Sequence, residues 1–212
     1  MPVDRPQYPV NLIVDGRACL VVGGGTVARR KVEGLLACHA VVTVIAPAVE
    51  PGVDALAADG RVTLGRRRYR RGEVAGYRLA VAATDDPAVN RAVFEDGEAA
   101  GVWINAADEP SSCSFTLPSV VRRGPILVTV ATGGHSPAMS TWLRRHIDGE
   151  LGEEYVALLE LLSEERAALK SAGRSTEGLD WLSALDSNML ELVRAGQIGK
   201  ARERLQACLS SS

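Results

Sequence analysis

Two stretches of this chain carry residues suited to chemistry. The first is the glycine-rich run CLVVGGGTVARRK, in which Gly23-x-Gly25-x-x-Ala28 follows an apolar segment and opens a helical one. Such a turn brings backbone amides to a pyrophosphate. Gly23 allows the sharp turn, Gly25 lets the phosphates approach, and Ala28 lets helix and strand pack closely. Thr26 and Val27 would then supply amides at the positive end of the helix dipole. The second runs from Asn105 to Pro137. Asp108 follows an apolar strand there, and a hairpin later comes Thr132-Gly-Gly-His135-Ser136-Pro137. A carboxylate at the end of a strand can take a proton, and an imidazole can carry one or hold a metal ion transiently. The competing readings are structural: Asp108 caps a turn, and His135 packs at a helix start.

The elements needed to position these groups are legible. Apolar segments Leu12 to Val14 and Ala18 to Val22, around Asp15-Gly16, predict a tight hairpin. Helix follows from Thr26 to about Ala37, then strand Val41 to Ile45, a short helix over Val53 to Ala58, and strands Val62 to Leu64 and Leu79 to Ala83. Asp86 and Pro87 suit the cap and first turn of a helix through about Ala100. Val102 to Ala106 is the fifth parallel strand. This alternation predicts an α/β fold, a Rossmann-like doubly wound parallel sheet with helices on both faces. Ser114 to Val121 and Ile126 to Ala131 read as a β-hairpin closed at Arg122 to Pro125. Beyond Ser136-Pro137 the chain reads as helical, with stripes at Tyr155, Leu158, Leu159 and Leu162, at Leu182, Leu185, Met189 and Leu192, and at Ile198, Ala201 and Leu205. The expected division is 1–112 for the dinucleotide domain, 113–150 for the hairpin and substrate segment, and 151–212 for a helical C-terminal domain.

Ligands of such sheets sit at the carboxyl ends of strands. Pro47, Ala48, Thr84, Asp85 and Asn105 are therefore further candidates for cofactor contact, Asp85 sharing with Asp86 the alternative of helix capping. The acid that grips the adenosine ribose is missing from its usual place, held here by Ile45-Ala46-Pro47-Ala48. Glu50 is a substitute of unknown geometry. No arginine stands at that place for a 2′-phosphate, which tilts the choice to NAD without deciding it against NADP.

The 212 residues are 46% hydrophobic and 24% charged with a net charge of −2, so no overall field favours nucleic acid or anionic membrane. Arg66 to Arg71 is a local basic run, read as a solvated or substrate-facing patch. Cys19, Cys38, Cys113 and Cys208 are scattered without zinc spacing, as expected of reduced thiols in a cytoplasmic protein. Neither a signal peptide nor a membrane-length apolar run is legible.

The ordered motifs GGGTVARRK, AATDDPAVN, INAADEPSSCSFTLPSVV and VATGGHSPAMSTWLRR resemble the precorrin-2 dehydrogenase/sirohydrochlorin ferrochelatase family over about Tyr8 to Gly152. The resemblance implies NAD-dependent oxidation of precorrin-2 to sirohydrochlorin in sirohaem biosynthesis, and in some members insertion of ferrous iron. It implies a homodimer interlocked through the hairpin and C-terminal helices. The family's key aspartate falls on Asp108. Thr132 and Ser136 are candidates to orient substrate propionates or to cap a helix. Arg144, with Arg145, is a candidate to meet the tetrapyrrole's carboxylates. The rival from another class is a non-catalytic NAD-sensing regulatory domain, which would have no use for the Asp108 and His135 loops. An ordinary short-substrate dehydrogenase would want a catalytic lysine, and Lys31, Lys170 and Lys200 stand at no strand's carboxyl end.

Overall fold

The computed structural model describes residues 6–107 and 109–210. They form two compact units. The first comprises the residues up to Leu117 together with Thr132–Ser136; the second comprises Pro118–Ala131 and the chain from Pro137 onward.

The first unit is a five-stranded parallel sheet of β1 (Ala18–Val22), β2 (Val41–Ile45), β3 (Val62–Gly65), β4 (Leu79–Ala82) and β5 (Trp103–Ala106), in the order β3-β2-β1-β4-β5. Helices α1 (Thr26–Leu36), α2 (Pro51–Ala58) and α3 (Pro87–Ala100) make the crossovers. Alternation along the strands divides their side chains between two cores. Cys19 and Val21 face one layer with Ala28, Val32 and Val53, while Leu20 and Val22 face the other with Val93 and Ile104. Burial on both faces explains why these strands read as continuous apolar runs. The α3 boundaries follow their chemistry: the Asp86 carboxylate accepts from the amides of Ala88 and Val89, Pro87 stands first in the helix, and left-handed Gly101 ends it.

The expected hairpin before β1 does not form. Asp15-Gly16 makes a turn, but β1 already pairs with β2 on one side and β4 on the other, leaving no edge for residues 12–14. The segment after β5 also differs. Residues 113–115 run back along β5, the Ser114 amide donating to the Ile104 carbonyl at 2.8 Å, with an isolated antiparallel bridge between Asn105 and Cys113. They cover an otherwise open sheet edge, and the strand expected from Ser114 begins only at Ser119.

In the second unit, β6 (Ser119–Arg123) pairs antiparallel with β7 (Ile126–Val130) around Gly124-Pro125. Helix α4 (Pro137–Glu150) starts at the proline as predicted. The Arg123 guanidinium donates to the carbonyls of Asp148 and Leu151 and pairs with the Asp148 carboxylate at 2.7 Å, fastening the hairpin to the negative end of that helix. Helices α5 (Glu153–Ser171), α6 (Trp181–Asp186), α7 (Met189–Arg194) and α8 (Ile198–Ser210) follow. The α5 core stripe is Leu158, Leu161, Glu165 and Leu169, shifted from the expected one. The third predicted helix is broken in two by Asn188, whose φ is 69°, and Leu182 is exposed while Ala184 is buried. None of the described helices is long and apolar enough to cross a membrane.

Candidate active site

Strand order reverses between β1 and β4, so the crevice at their carboxyl ends is the topological switch point of the sheet. The glycine turn forms one lip of it. Gly23 has φ of 126°, and a Cβ there would stand 2.1 Å from the Ala83 carbonyl oxygen of the loop after β4. A Cβ on Gly24 would stand 2.1 Å from the Ala48 carbonyl oxygen of the loop after β2. Both glycines are therefore demanded by neighbouring backbone, and Gly24 is one that the fingerprint did not single out. Gly25 is different in kind. Beyond its two chain neighbours, no atom of the described residues lies within 4 Å of its would-be Cβ, and its φ of −85° and ψ of −174° suit any residue. Nothing among the described residues requires its bareness, which fits a ligand approaching the backbone there.

Helix α1 begins at this point with Gly25 as its N-cap, no side-chain cap and no acid in its first turn. The first amides, those of Thr26, Val27 and Ala28, are free of intrahelical partners, and the Glu50 carboxylate from the start of α2 stands beside them, accepting from the Thr26 hydroxyl at 3.2 Å. Ala28 is fully buried, as close packing of helix on strand requires. The group that this cradle fits is the pyrophosphate of a dinucleotide.

The loop after β4 is held by a residue that sequence reasoning missed. Asn90, only 6% exposed, accepts from the Thr84 amide at 3.2 Å and from the Thr84 hydroxyl at 2.8 Å, and donates to the Thr84 carbonyl at 2.9 Å. Its signal was a polar residue on the inward face of α3. Thr84 is thus engaged within its own loop, and Asp86, not the exposed Asp85, caps α3. Pro47 and Ala48 lie exposed at the end of β2.

At the end of β5, Asn105 is 7% exposed and its amide donates to the Phe115 carbonyl at 3.0 Å. The Cys113 sulfur lies 3.3 Å from the Ala106 carbonyl and 3.4 Å from the Glu109 carbonyl, which compete for its one proton, and it accepts from the Ala106 amide at 3.3 Å. It therefore holds the backbone at Ala106 and Glu109, and burial pushes the thiol above its ordinary pKa, so that it stays protonated. Asp108 itself lies outside the described residues.

The turn Thr132–Ser136 belongs to the same compact unit as the sheet although 26 residues separate Thr132 from Ala106. Gly133 and Gly134 both have positive φ. The Thr132 carbonyl accepts from the His135 amide at 3.0 Å, and its hydroxyl donates to the Ser136 carbonyl at 3.1 Å. His135 is exposed. Arg144 belongs to the second unit, on α4, 3.7 Å from Asp148.

Glu50, the substitute acid, is the N-cap residue of α2, and Arg29 reaches its carboxylate from α1 at 3.3 Å. A helix-borne arginine 21 residues away in sequence is invisible to a search confined to the residues after β2. The Arg66–Arg71 run is largely neutralised: Arg66 pairs with Asp54, Arg67 with Glu73, and Arg71 with Glu95 and Asp96.

Comparison with known proteins agrees with this geometry. Residues 10–119 match a family described as "Putative NAD(P)-binding". The chain is 36% identical over 206 residues to a siroheme synthase of Nitrosococcus oceani, covering 96% of this chain and 44% of that protein. It is 37% identical over 206 residues to one from Thioalkalivibrio sulfidiphilus, covering 96% and 42%. The chain thus spans less than half the length of these curated relatives. Among solved structures, "SirC, precorrin-2 dehydrogenase" superposes with a TM-score of 0.72 at 26% identity, covering 95% of this chain and 98% of that one. The chain belongs to the NAD(P)-binding family, in the branch that includes siroheme synthases and SirC.

Proposed function

We propose that this protein is a precorrin-2 dehydrogenase that uses NAD to oxidise precorrin-2 to sirohydrochlorin. The observation that carries the reading is the bare, outward-facing Gly25 beside the uncapped start of α1. The similarity to SirC over nearly the whole of both chains supports the substrate. Gly23, Gly25, Thr26 and Val27 would hold the pyrophosphate, with Pro47, Ala48, Thr84 and Asp85 at the rim and Asn105 beneath it. When bound, NAD accepts a hydride. Asp108 takes the proton that leaves with it. Thr132, Ser136 and Arg144 orient the substrate's carboxylates. His135 is the second proton-handling group, and ferrous iron is a further substrate if the product is also metallated.

The protein works as a homodimer in the cytoplasm in this reading. Support for the dimer comes from the second unit, where none of the described α4 residues is buried and Met139 and Trp142 are 50% and 61% exposed. Cys19 and Cys113 are free thiols. Incubation of purified protein with precorrin-2 and NAD should produce NADH and the sirohydrochlorin spectrum in equal amounts, and Asp108→Ala should abolish both while NADH still binds. Folded protein that yields neither product refutes the assignment; full turnover by the variant removes Asp108 from it. Anaerobic incubation of sirohydrochlorin with ferrous iron, measured against the spontaneous rate, decides metallation.

A further inference from the structure

We propose that Glu50, together with Arg29, selects a dinucleotide with a free adenosine 2′-hydroxyl over one carrying a 2′-phosphate. The inference rests on the dinucleotide reading of the glycine turn. Glu50 is fixed beside that turn at three points. Its amide donates to the Gly24 carbonyl at 2.8 Å, one carboxylate oxygen accepts from the Thr26 hydroxyl at 3.2 Å, and the other accepts from the Arg29 guanidinium at 3.3 Å. The side chain is nevertheless 20% exposed, so the carboxylate is oriented and still reachable. It stands just past the end of β2, on the side of the glycine turn where a Rossmann sheet receives the adenosine ribose.

The local charge decides the selection. Arg29 gives its Nε to Glu33 at 2.7 Å as well as an Nη to Glu50, so two carboxylates share one guanidinium and the trio carries a net −1. Gly52 leaves the room that the Arg29 side chain occupies, since a Cβ there would stand 2.8 Å from its Nη1. A ribose hydroxyl can donate to the Glu50 carboxylate. A phosphate dianion has no proton to offer it, meets two negative groups, and finds the charge of Arg29 already shared between them.

Titration of the full chain with NADH and NADPH, followed by nucleotide fluorescence, tests the assignment. Wild-type protein should bind NADH about tenfold or more tightly than NADPH, one charge-assisted hydrogen bond being worth at least that factor. Glu50→Gln keeps the size and removes the charge; it should weaken NADH severalfold, tighten NADPH about tenfold and abolish the preference. Adding Arg29→Met to Glu50→Gln should cancel the NADPH gain, which a merely structural role for the pair would not produce. Arg29→Met alone should leave NADH ahead of NADPH, and serves if Glu50→Gln does not fold by circular dichroism. An unchanged NADH:NADPH ratio in folded Glu50→Gln, or equal affinities in the wild type, overturns the selection while leaving the dinucleotide site intact. Folded wild-type protein that binds neither nucleotide overturns the site itself, and the selection with it.

Discussion

Replacing Gly25 by alanine separates what the chain needs from what its ligand needs. The backbone at Gly25, φ −85° and ψ −174°, is open to alanine, and the new methyl meets no atom of the described residues within 4 Å. Glycine-to-alanine exchange at a compatible position stabilises by about 0.4–1 kcal/mol through the unfolded chain. For a protein of this size that raises the melting temperature by about 1–4 °C. The same methyl stands where the pyrophosphate must lie, and overfilling a close-packed contact costs about 1–3 kcal/mol, or roughly tenfold to a hundredfold in NADH affinity. Gly24→Ala is the control: its methyl would stand 2.1 Å from the Ala48 carbonyl oxygen, so it should melt earlier by several degrees. Differential scanning fluorimetry with and without NADH, beside a fluorescence titration, reads both effects. A Gly25→Ala protein that is as stable as wild type and binds NADH undiminished would refute the claim that this turn carries the pyrophosphate. A lower melting temperature without ligand would refute the open geometry.

Two further outcomes follow from buried polar groups. Asn90→Ala should cost about 2 kcal/mol, because it leaves the Thr84 amide without the acceptor it has now, and should weaken NADH binding by loosening the loop after β4; chemical denaturation and titration check both. Asp96, with a side chain 9% exposed, is raised by burial but held below the ordinary carboxylate range overall, because the Gly72 amide, the Tyr69 hydroxyl and Arg71 all favour its ionised form. A carboxyl with a depressed folded pKa contributes stability above its unfolded value, near pH 4, and loses it as pH falls through the lower folded value. Asp96→Asn should therefore cost about 2 kcal/mol at neutral pH, discounted for the solvent around Arg71, and should flatten the stability profile below about pH 4 in denaturation measured across pH.

Local chemistry made much of this protein legible in its sequence. The parallel strands, the fingerprint at Gly23 and Gly25, the Asp86-Pro87 start of α3 and the proline start of α4 each depend on a few neighbouring residues. Burial on two faces and capping by the next residues act over short separations, so the pattern along the chain suffices. What failed depended on neighbours far away in sequence. The strand expected at residues 12–14 lost its partner because β2 and β4 occupy both edges of β1. The strand expected from Ser114 was diverted to the open edge of β5. Glu50 gained an orientation only when α1 brought Thr26 and Arg29 to it, and Asn90 became the anchor of Thr84 only when α3 packed under the β4 loop. A sequence specifies which groups exist and how each short segment folds; which of them meet is set by the order of strands, a property of the whole chain.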